Sequence, residues 1–344
     1  MYQTIQTVGR FIEQQGLLQK DEKVLVALSG GADSVFLLLA LKMLGYPCLA
    51  AHCNFHLRGA ESLRDERFVR VLCTRNDVKL HVTHFDTEAY AKEKRQSIEL
   101  AARNLRYGFF KELMQAEGCQ ALAVGHHKDD NVETFLLNAV RKTGVRGLCG
   151  IKPVNVNEQG SKVVRPLLCV SKKEIEDCLR SMGETWVTDS TNLTEEASRN
   201  KIRLSVVPVL KNINVAAVDN LCDTMRNLNE VMRIYEAEME RCKNVCAKWE
   251  RDTLIINREK LATCVSPISV LHELLSPLGF NETQIQNLLT AKGYRANRPK
   301  GGREIKLPKD GGTVLVEVSW KQIKIEKVVS QATPNVMAKI MTKA

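Results

Sequence analysis

The sequence predicts an α/β protein: an open parallel sheet with helices on both faces, followed by a helical bridge and a small α+β C-terminal domain. Three observations predict it. Short apolar runs alternate with helix-length stretches over residues 23–182. Those runs are apolar at successive positions, as strands covered on both sides must be. Beyond residue 250 the rhythm changes to short alternating strands around turn signals.

The elements follow in order. After a first amphipathic helix, KVLVALS at 23–29 reads as a strand, Gly30-Gly31 as its turn, and residues 34–44 as a helix. The unit repeats three times: LAAHCN (49–54) with a helix over 61–75, VKLHVTHF (78–85) with one over 98–116, and ALAVGHH (121–127) with one over 131–140. A fifth strand is predicted over 163–168, leading into a helix over 172–182 and closing a first domain at 1–215. The charged helical stretch 216–250 reads as the bridge. TLIIN (253–257), two short helices, and strands EIKL and TVLVEV around Asp310-Gly311-Gly312 make the second domain, 251–330. One of those helices is opened by Asn281 with Gln284 three residues on, a capping signal. The tail, 331–344, is weakly patterned and expected to be disordered.

With 344 residues, 44% hydrophobic and 26% charged, the chain can bury two cores. Fifty Lys plus Arg against forty Asp plus Glu leave a formal +10, which suits a polyanionic partner without identifying one. The segment 292–309 concentrates Lys292, Arg295, Arg298, Lys300, Arg303, Lys306 and Lys309 against Glu304 alone. It reads either as a solvated loop or as a phosphate-contacting arm. Eleven cysteines, an odd number with no Cys-x-x-Cys, read as reduced thiols in a cytoplasm rather than a disulfide or metal framework. A polar first helix and the lack of any bilayer-length apolar run predict a protein neither secreted nor membrane-embedded.

The chemistry starts at Ser29-Gly30-Gly31-Ala32-Asp33-Ser34, directly after the first strand and at the opening of a helix. Backbone N–H groups and the positive helix end there attract phosphate, glycine lets the chain approach it, and Ser29 and Ser34 can add donors. No Gly-Lys dipeptide occurs, so the loop is not a Walker A, and no GxGxxG follows the strand. Asp33 would repel a phosphate unless a divalent cation lay between them, which implies magnesium bridging a pyrophosphate. The plain alternative is a tight turn with an aspartate at a favourable helix end.

Gly125-His126-His127-x-Asp129-Asp130-x-x-Glu133-Thr134 lies at another strand's C-terminal edge, where open parallel sheets bind ligands. Asp130 and Glu133 share a helix face and suit either magnesium, with Asp33 as the companion ligand, or the ammonium groups of an amine substrate. An acid cluster complementing the helix dipole is the simpler reading for Asp129. Arg103 and Arg106 also share a face and can neutralise phosphate charge, or serve as surface ion-pair partners.

SGGADS is similar to the pyrophosphate loop of the PP-loop ATPases, with an adenine nucleotide alpha hydrolase-like fold. Within that superfamily HCNFHLRG (52–59), IELAARNLRYGFF (98–110), the GHH segment through 150, RPLL (165–168) and WVTDSTN followed by SRNKIRLSVVPVL resemble the tRNA(Ile)-lysidine synthetases over about the first 210 residues. The resemblance implies ATP and Mg2+ as cofactors, with Ser29, Gly30, Gly31, Ala32, Asp33, Ser34, Gly125 and His126 on the nucleotide. It adds His52 and His56 on the adenine side, although His52 equally suits a core position. Asp33, Arg106, Asp130, Glu133 and Arg199 are the implied catalytic residues, and Arg165, Asp189, Asn192, Asn200 and Arg203 match later motifs.

The implied reaction adenylates the wobble cytidine of a CAU-anticodon tRNA(Ile) and lets the ε-amine of L-lysine displace AMP. Asp130 or Glu133 would accept the amine's proton. The second domain would grip tRNA, and a homodimer is compatible with this reading. Two rivals are a tRNA thiolase of the same superfamily and a non-catalytic adenine-nucleotide-binding protein. One departure is that the further C-terminal domain of longer members is not recognised before Ala344.

Overall fold

The computed structural model describes residues 2–141, 143–157, 160–188, 198–291, 303–306 and 313–328. The chain divides into two compact units, 1–229 and 230–344. The first opens with α1 (Tyr2–Gln14), β1 (Val24–Ala27), α2 (Ala32–Met43), β2 (Cys48–Asn54), α3 (Ala60–Arg75) and β3 (Leu80–His84). It continues with α4 (Thr87–Lys94), α5 (Ile98–Glu117), β4 (Ala121–Ala123), α6 (Lys128–Val140), α7 (Val145–Leu148), β5 (Val154–Val156) and β6 (Lys162–Val164). Helices α8 (Lys172–Ser181), α9 (Ser198–Lys201) and α10 (Val207–Ile213) follow, and α11 (Ala217–Cys246) begins in this unit and ends in the second.

The first sheet has the order β3-β2-β1-β4-β6-β5. Its first five strands run parallel, and β5 is an antiparallel edge on β6. Strand alternation assigns the two faces. Val24, Val26, Ala50, Ala121, Ala123 and Val164 pack with α1, α2, α3 and α8, while Leu25, Leu49, Leu122 and Val163 pack with Phe110, Leu113 and Met114 of α5. Helix α2 is apolar nearly all round because it is central: Phe36, Leu37, Leu38 and Leu41 are fully buried. Each such side chain stabilises the fold by about 1.5–3 kcal/mol.

Strand β1 pairs with β2 on one side and β4 on the other. The order of strand addition therefore reverses at β1, and a crevice opens beyond the carboxyl ends of β1 and β4. The Ser29–Ser34 loop and the Gly125 segment both emerge there.

The second unit holds β7 (Ala247–Glu250), β8 (Thr253–Asn257), α12 (Arg258–Ala262), α13 (Pro267–Leu275), α14 (Glu282–Thr290), β9 (Arg303–Lys306), β10 (Thr313–Val318) and β11 (Gln322–Val328). Its antiparallel sheet has the order β7-β8-β11-β10-β9. Leu254, Ile256, Val314, Val316, Ile323 and Ile325 face Cys242 and Cys246 of α11 and the apolar sides of α13 and α14. All eleven cysteines are free thiols. Among the described residues no helix is long and apolar enough to cross a membrane.

Several boundaries differ from the sequence reading, each with a local cause. The fifth strand stops at Val164 because Pro166 opens a 3₁₀ turn through Cys169. The bridge helix ends at Cys246, and residues 247–250 are strand. Helix α4 was not expected; Asp86 caps it by accepting from the Ala89 N–H at 3.0 Å. Strands β5 and β11 were not expected either. The tail 331–344 and most of the basic segment 292–309 lie outside the described residues.

Candidate active site

The loop after β1 is shaped from within by Ser34. Its Oγ accepts from the N–H groups of Ser29 and Gly30 at 3.1 and 3.2 Å and donates to the Gly31 carbonyl at 3.0 Å. Ser34, expected to donate to phosphate, is thus the loop's internal tie. Gly30 has φ +98°, and an added Cβ would meet Val187 and Val69 side-chain carbons at 3.2 and 3.3 Å. Gly31 begins α2 with no side-chain cap, whereas α4, α5, α6 and α8 are capped by Asp86, Ser97, His127 and Ser171. An uncapped helix start of this kind presents N–H groups to an anion.

Gly125 packs against this loop. A Cβ there would lie 3.1 Å from the Asp33 carbonyl carbon, so any larger residue would have to push the start of α2 away from the β4 exit by a few tenths of an ångström.

Two cavities meet at the loop, and both are lined by Ser29 and Asp33. The smaller, about 280 Å³, has Ala27, Ala51 and Val124 at its base, with Phe55, Arg103, Arg106, Tyr107 and His126 around them. Arg106 lies over the Phe55 ring and Arg103 over the Tyr107 ring, at 5.9 and 5.0 Å. Both arginines are exposed, and no carboxylate of the described residues pairs with either. Burial drives the His126 pKa down to about 4, and Arg165 Nε donates to its Nδ1 at 3.3 Å. The imidazole is therefore neutral at pH 7.

The larger cavity, about 580 Å³, gathers Gly31, Ala32, His127, Asp129, Asp130, Glu133, Lys172 and Arg203 beside an apolar wall of Trp186, Val187 and Pro208. His127 caps α6: its Nδ1 accepts from the Asp130 N–H, and Asp130 Oδ2 accepts in return from the His127 N–H at 3.0 Å. Helix α6 consequently starts three residues earlier than expected. Burial pushes the Asp130 carboxyl up, but His127, its backbone N–H, His126 and Arg199 outweigh it, leaving Asp130 below the ordinary carboxylate range.

Glu133 is almost wholly buried, and its carboxylate is engaged by two arginines. Arg199 Nε donates to Oε2 at 2.9 Å, and Arg203 grips the group from the π-helical turn Ile202–Val206. Such turns recur at functional positions. The proton-accepting role expected of Asp130 or Glu133 therefore finds little support: one is a weakened base and the other is fully occupied.

Asp33 Oδ1 is 2.7 Å from Lys172 Nζ and 3.7 Å from His127 Nε2, and Asp130 Oδ2 is 3.5 Å from the same His127 nitrogen. Asp33 and Asp130 both line the larger cavity, and magnesium uses one or two carboxylates plus phosphate oxygens and water. Among the described residues no three His, Cys, Asp or Glu side chains converge as a metal cage, so the remaining ligands would come from phosphate and water.

Two expected nucleotide contacts do not reach either cavity. His52 is buried, with Nδ1 2.8 Å from the Leu28 carbonyl oxygen, and burial lowers its pKa: it is a core histidine. His56 turns away at φ +54°, stacks on His84 with Nε2 2.9 Å from its Nδ1, and lines a separate hollow with Phe85 and Glu88. Asp189 and Asn192 lie outside the described residues. Arg165 supports His126, and Arg199 and Arg203 anchor on Glu133. Sequence reasoning missed Phe55 and Lys172. The signal for Lys172 was a cation at the first position of a predicted helix, where the dipole disfavours it.

A family model described as a PP-loop domain matches residues 1–210. The chain is 45% identical over 312 residues to the tRNA(Ile)-lysidine synthase of Bacteroides thetaiotaomicron, covering 91% of this chain and 71% of that protein. The corresponding protein of Parabacteroides distasonis is 43% identical over 292 residues, with 83% and 64% covered. That of Porphyromonas gingivalis is 43% identical over 279 residues, with 81% and 60% covered. The chain thus spans about two thirds of the length of these curated relatives. Among solved structures, the U34-tRNA thiolase NcsA from Methanococcus maripaludis with its [4Fe-4S] cluster superposes with a TM-score of 0.55 at 17% identity. It covers 67% of this chain and 79% of its own, a likeness of fold. The loop, the paired cavities and the Asp130–Glu133 cluster all fall mainly within the matched residues, and with this identity the chain belongs to the tRNA(Ile)-lysidine synthase family of PP-loop proteins.

Proposed function

We propose that this protein joins L-lysine to the wobble cytidine of a CAU-anticodon tRNA(Ile), using ATP and releasing AMP and diphosphate. The observation that carries the reading is the position of Asp33 and Ser29 on both cavities. One nucleotide can lie across the loop, with its adenosine end beside Arg103, Arg106 and His126 and its leaving group on the side of Asp130. The cytidine carbonyl oxygen attacks the α-phosphate and diphosphate leaves. The unprotonated lysine ε-amine then attacks the activated ring carbon, the carbon–oxygen bond to AMP breaks, and the proton shed by the nitrogen passes to water or to the departing phosphate.

The chain's residues divide this work. The Gly31–Ala32 backbone and the start of α2 hold diphosphate oxygens. Arg106, with Arg103, stabilises charge on the reacting phosphate, and neutral His126, oriented by Arg165, donates from its other ring nitrogen. Asp33 and Asp130 are the groups that would hold Mg2+, which when bound screens phosphate charge. Asp130 and Asp129 orient the lysine ammonium, while Glu133 fixes Arg199 and Arg203 at the cavity edge. An anticodon loop is already single-stranded, so delivering its base costs little unstacking.

Ligation is favoured over sulfur transfer by the state of Cys53, which alone among the described cysteines lines either cavity. Burial pushes its thiol up to about 12 against the opposing pull of Arg106, so it carries almost no thiolate. The same proposal includes the cytoplasm as the place of action, phosphate contacts by the basic second unit, and a homodimer, which light scattering would detect.

The test is incubation with ATP, Mg2+, labelled lysine and CAU-anticodon transcripts of tRNA(Ile) and tRNA(Met). Label in the isoleucine transcript alone is expected. Absence of label, or equal label in both, would overturn the reading.

A further inference from the structure

Lys172 is the first residue of α8, and both its root and its tip are held by acids. Its backbone N–H donates to Asp129 Oδ2 at 2.8 Å, and its ammonium sits 2.7 Å from Asp33 Oδ1 on the wall of the larger cavity. Nothing in α8 calls for a cation there. The helix start is already closed by the Ser171–Glu174 capping box, and a positive charge at that end opposes the helix dipole. What holds the ammonium in place is the aspartate of the phosphate loop. The Lys172 side chain is 38% exposed and that of Asp33 29%, so the pair is open to water and exchanges readily.

We propose that Lys172 is an exchangeable counter-ion of the phosphate loop. Before nucleotide binds, its ammonium neutralises Asp33. When a triphosphate enters, Lys172 moves to an oxygen of the leaving diphosphate, and Asp33 becomes available to a divalent cation. A flexible stem ending in three rotatable donors suits this transfer, since lysine binds phosphate as a point charge rather than through a fixed fork. The inference rests on the reading of the loop as a triphosphate site.

Two readouts test it. Without nucleotide, Mn2+ titration followed by electron paramagnetic resonance should find Lys172→Met binding the ion about fivefold tighter than wild type, because its competitor on Asp33 is gone. With ATP and the CAU transcript, the same variant should raise KM for ATP about tenfold or more in diphosphate release, and Lys172→Arg should recover most of that loss. Adding Asp33→Asn to Lys172→Met should erase the gain in Mn2+ affinity. Unchanged Mn2+ affinity, a gain that persists without Asp33, or an unchanged KM would each overturn the proposal. Should methionine disturb folding, Lys172→Gln gives the same two readings. Failure of the wild-type protein to release diphosphate would refute the triphosphate reading itself, whereas the nucleotide-free titration judges the competition between Lys172 and Asp33 separately.

Discussion

Arg203 holds Glu133 with both ends of its guanidinium, Nε donating to Oε1 at 2.6 Å and Nη2 to Oε2 at 3.0 Å. The carboxylate is buried, and the arginine is about a third exposed. Removing the charge inside therefore matters more than removing it outside. Glu133→Gln should lower unfolding free energy by about 2–3 kcal/mol, because two guanidinium groups lose their counter-charge and one of two acceptor oxygens becomes a donor. Arg203→Ala should cost less, since Arg199 remains on the carboxylate. Urea unfolding of both variants checks the order, and a Glu133→Gln loss within about 0.5 kcal/mol would contradict it.

Gly125→Ala tests the contact between the two loop segments. The new methyl would lie within 3.1 Å of the Asp33 backbone, where no side chain can yield. A loss of about 1–3 kcal/mol is expected, together with a raised KM for ATP because the strain falls on the phosphate loop. A variant with wild-type melting temperature and KM would show that the backbone relaxes freely.

Asp33→Asn should behave in the opposite manner. The carboxylate is partly exposed and outside the core, so stability should change little, while diphosphate release should fall about 100-fold or more if the charge acts on the reacting phosphates. Steady-state kinetics beside a thermal melt separates the two effects.

His126 supplies a pH prediction. Its folded pKa of about 4 lies below the ordinary 6.5, so between those values the unfolded chain binds a proton that the folded chain refuses. Acidification from pH 6.5 to 4 should then weaken the fold by up to about 3 kcal/mol through this residue, with no further loss below pH 4. The ring resonances should stay flat from pH 8 to 5, and His126→Asn should remove this component of the stability curve. A ring titrating near 6.5 would refute the burial argument.

Cys53 should resist alkylation. With a pKa of about 12, its thiolate fraction at pH 8 is on the order of 10⁻⁴, far below that of an ordinary exposed thiol. Iodoacetamide labelling read by mass spectrometry should leave it unmodified in the folded protein and modify it in urea.

The central strands were legible because Leu25, Leu49 and Leu122 face one helix layer while their neighbours face the other, so every position had to be apolar. The Asn281–Gln284 box was legible because both partners lie within four residues. What escaped depends on distant contacts. Strand β5 has exposed Val154 and Val156, so no hydrophobic pattern marks it, and its pairing with β6 supplies the definition. Asp33, Asp130 and Gly125 could be placed from their motifs. The engagement of Glu133 by arginines more than 60 residues later, and the placement of His52 under the Leu28 carbonyl, depend on packing that no local spacing encodes.

The cap on α6 also fixes the chemistry of His127. Since Nδ1 accepts the Asp130 amide hydrogen, the ring's own hydrogen resides on Nε2, facing Asp33 and Asp130. The tautomer is thereby chosen by the helix and not by any ligand. His127 in this arrangement offers the cavity an N–H rather than a lone pair, so it can steady anionic oxygens and is not placed to ligate a cation.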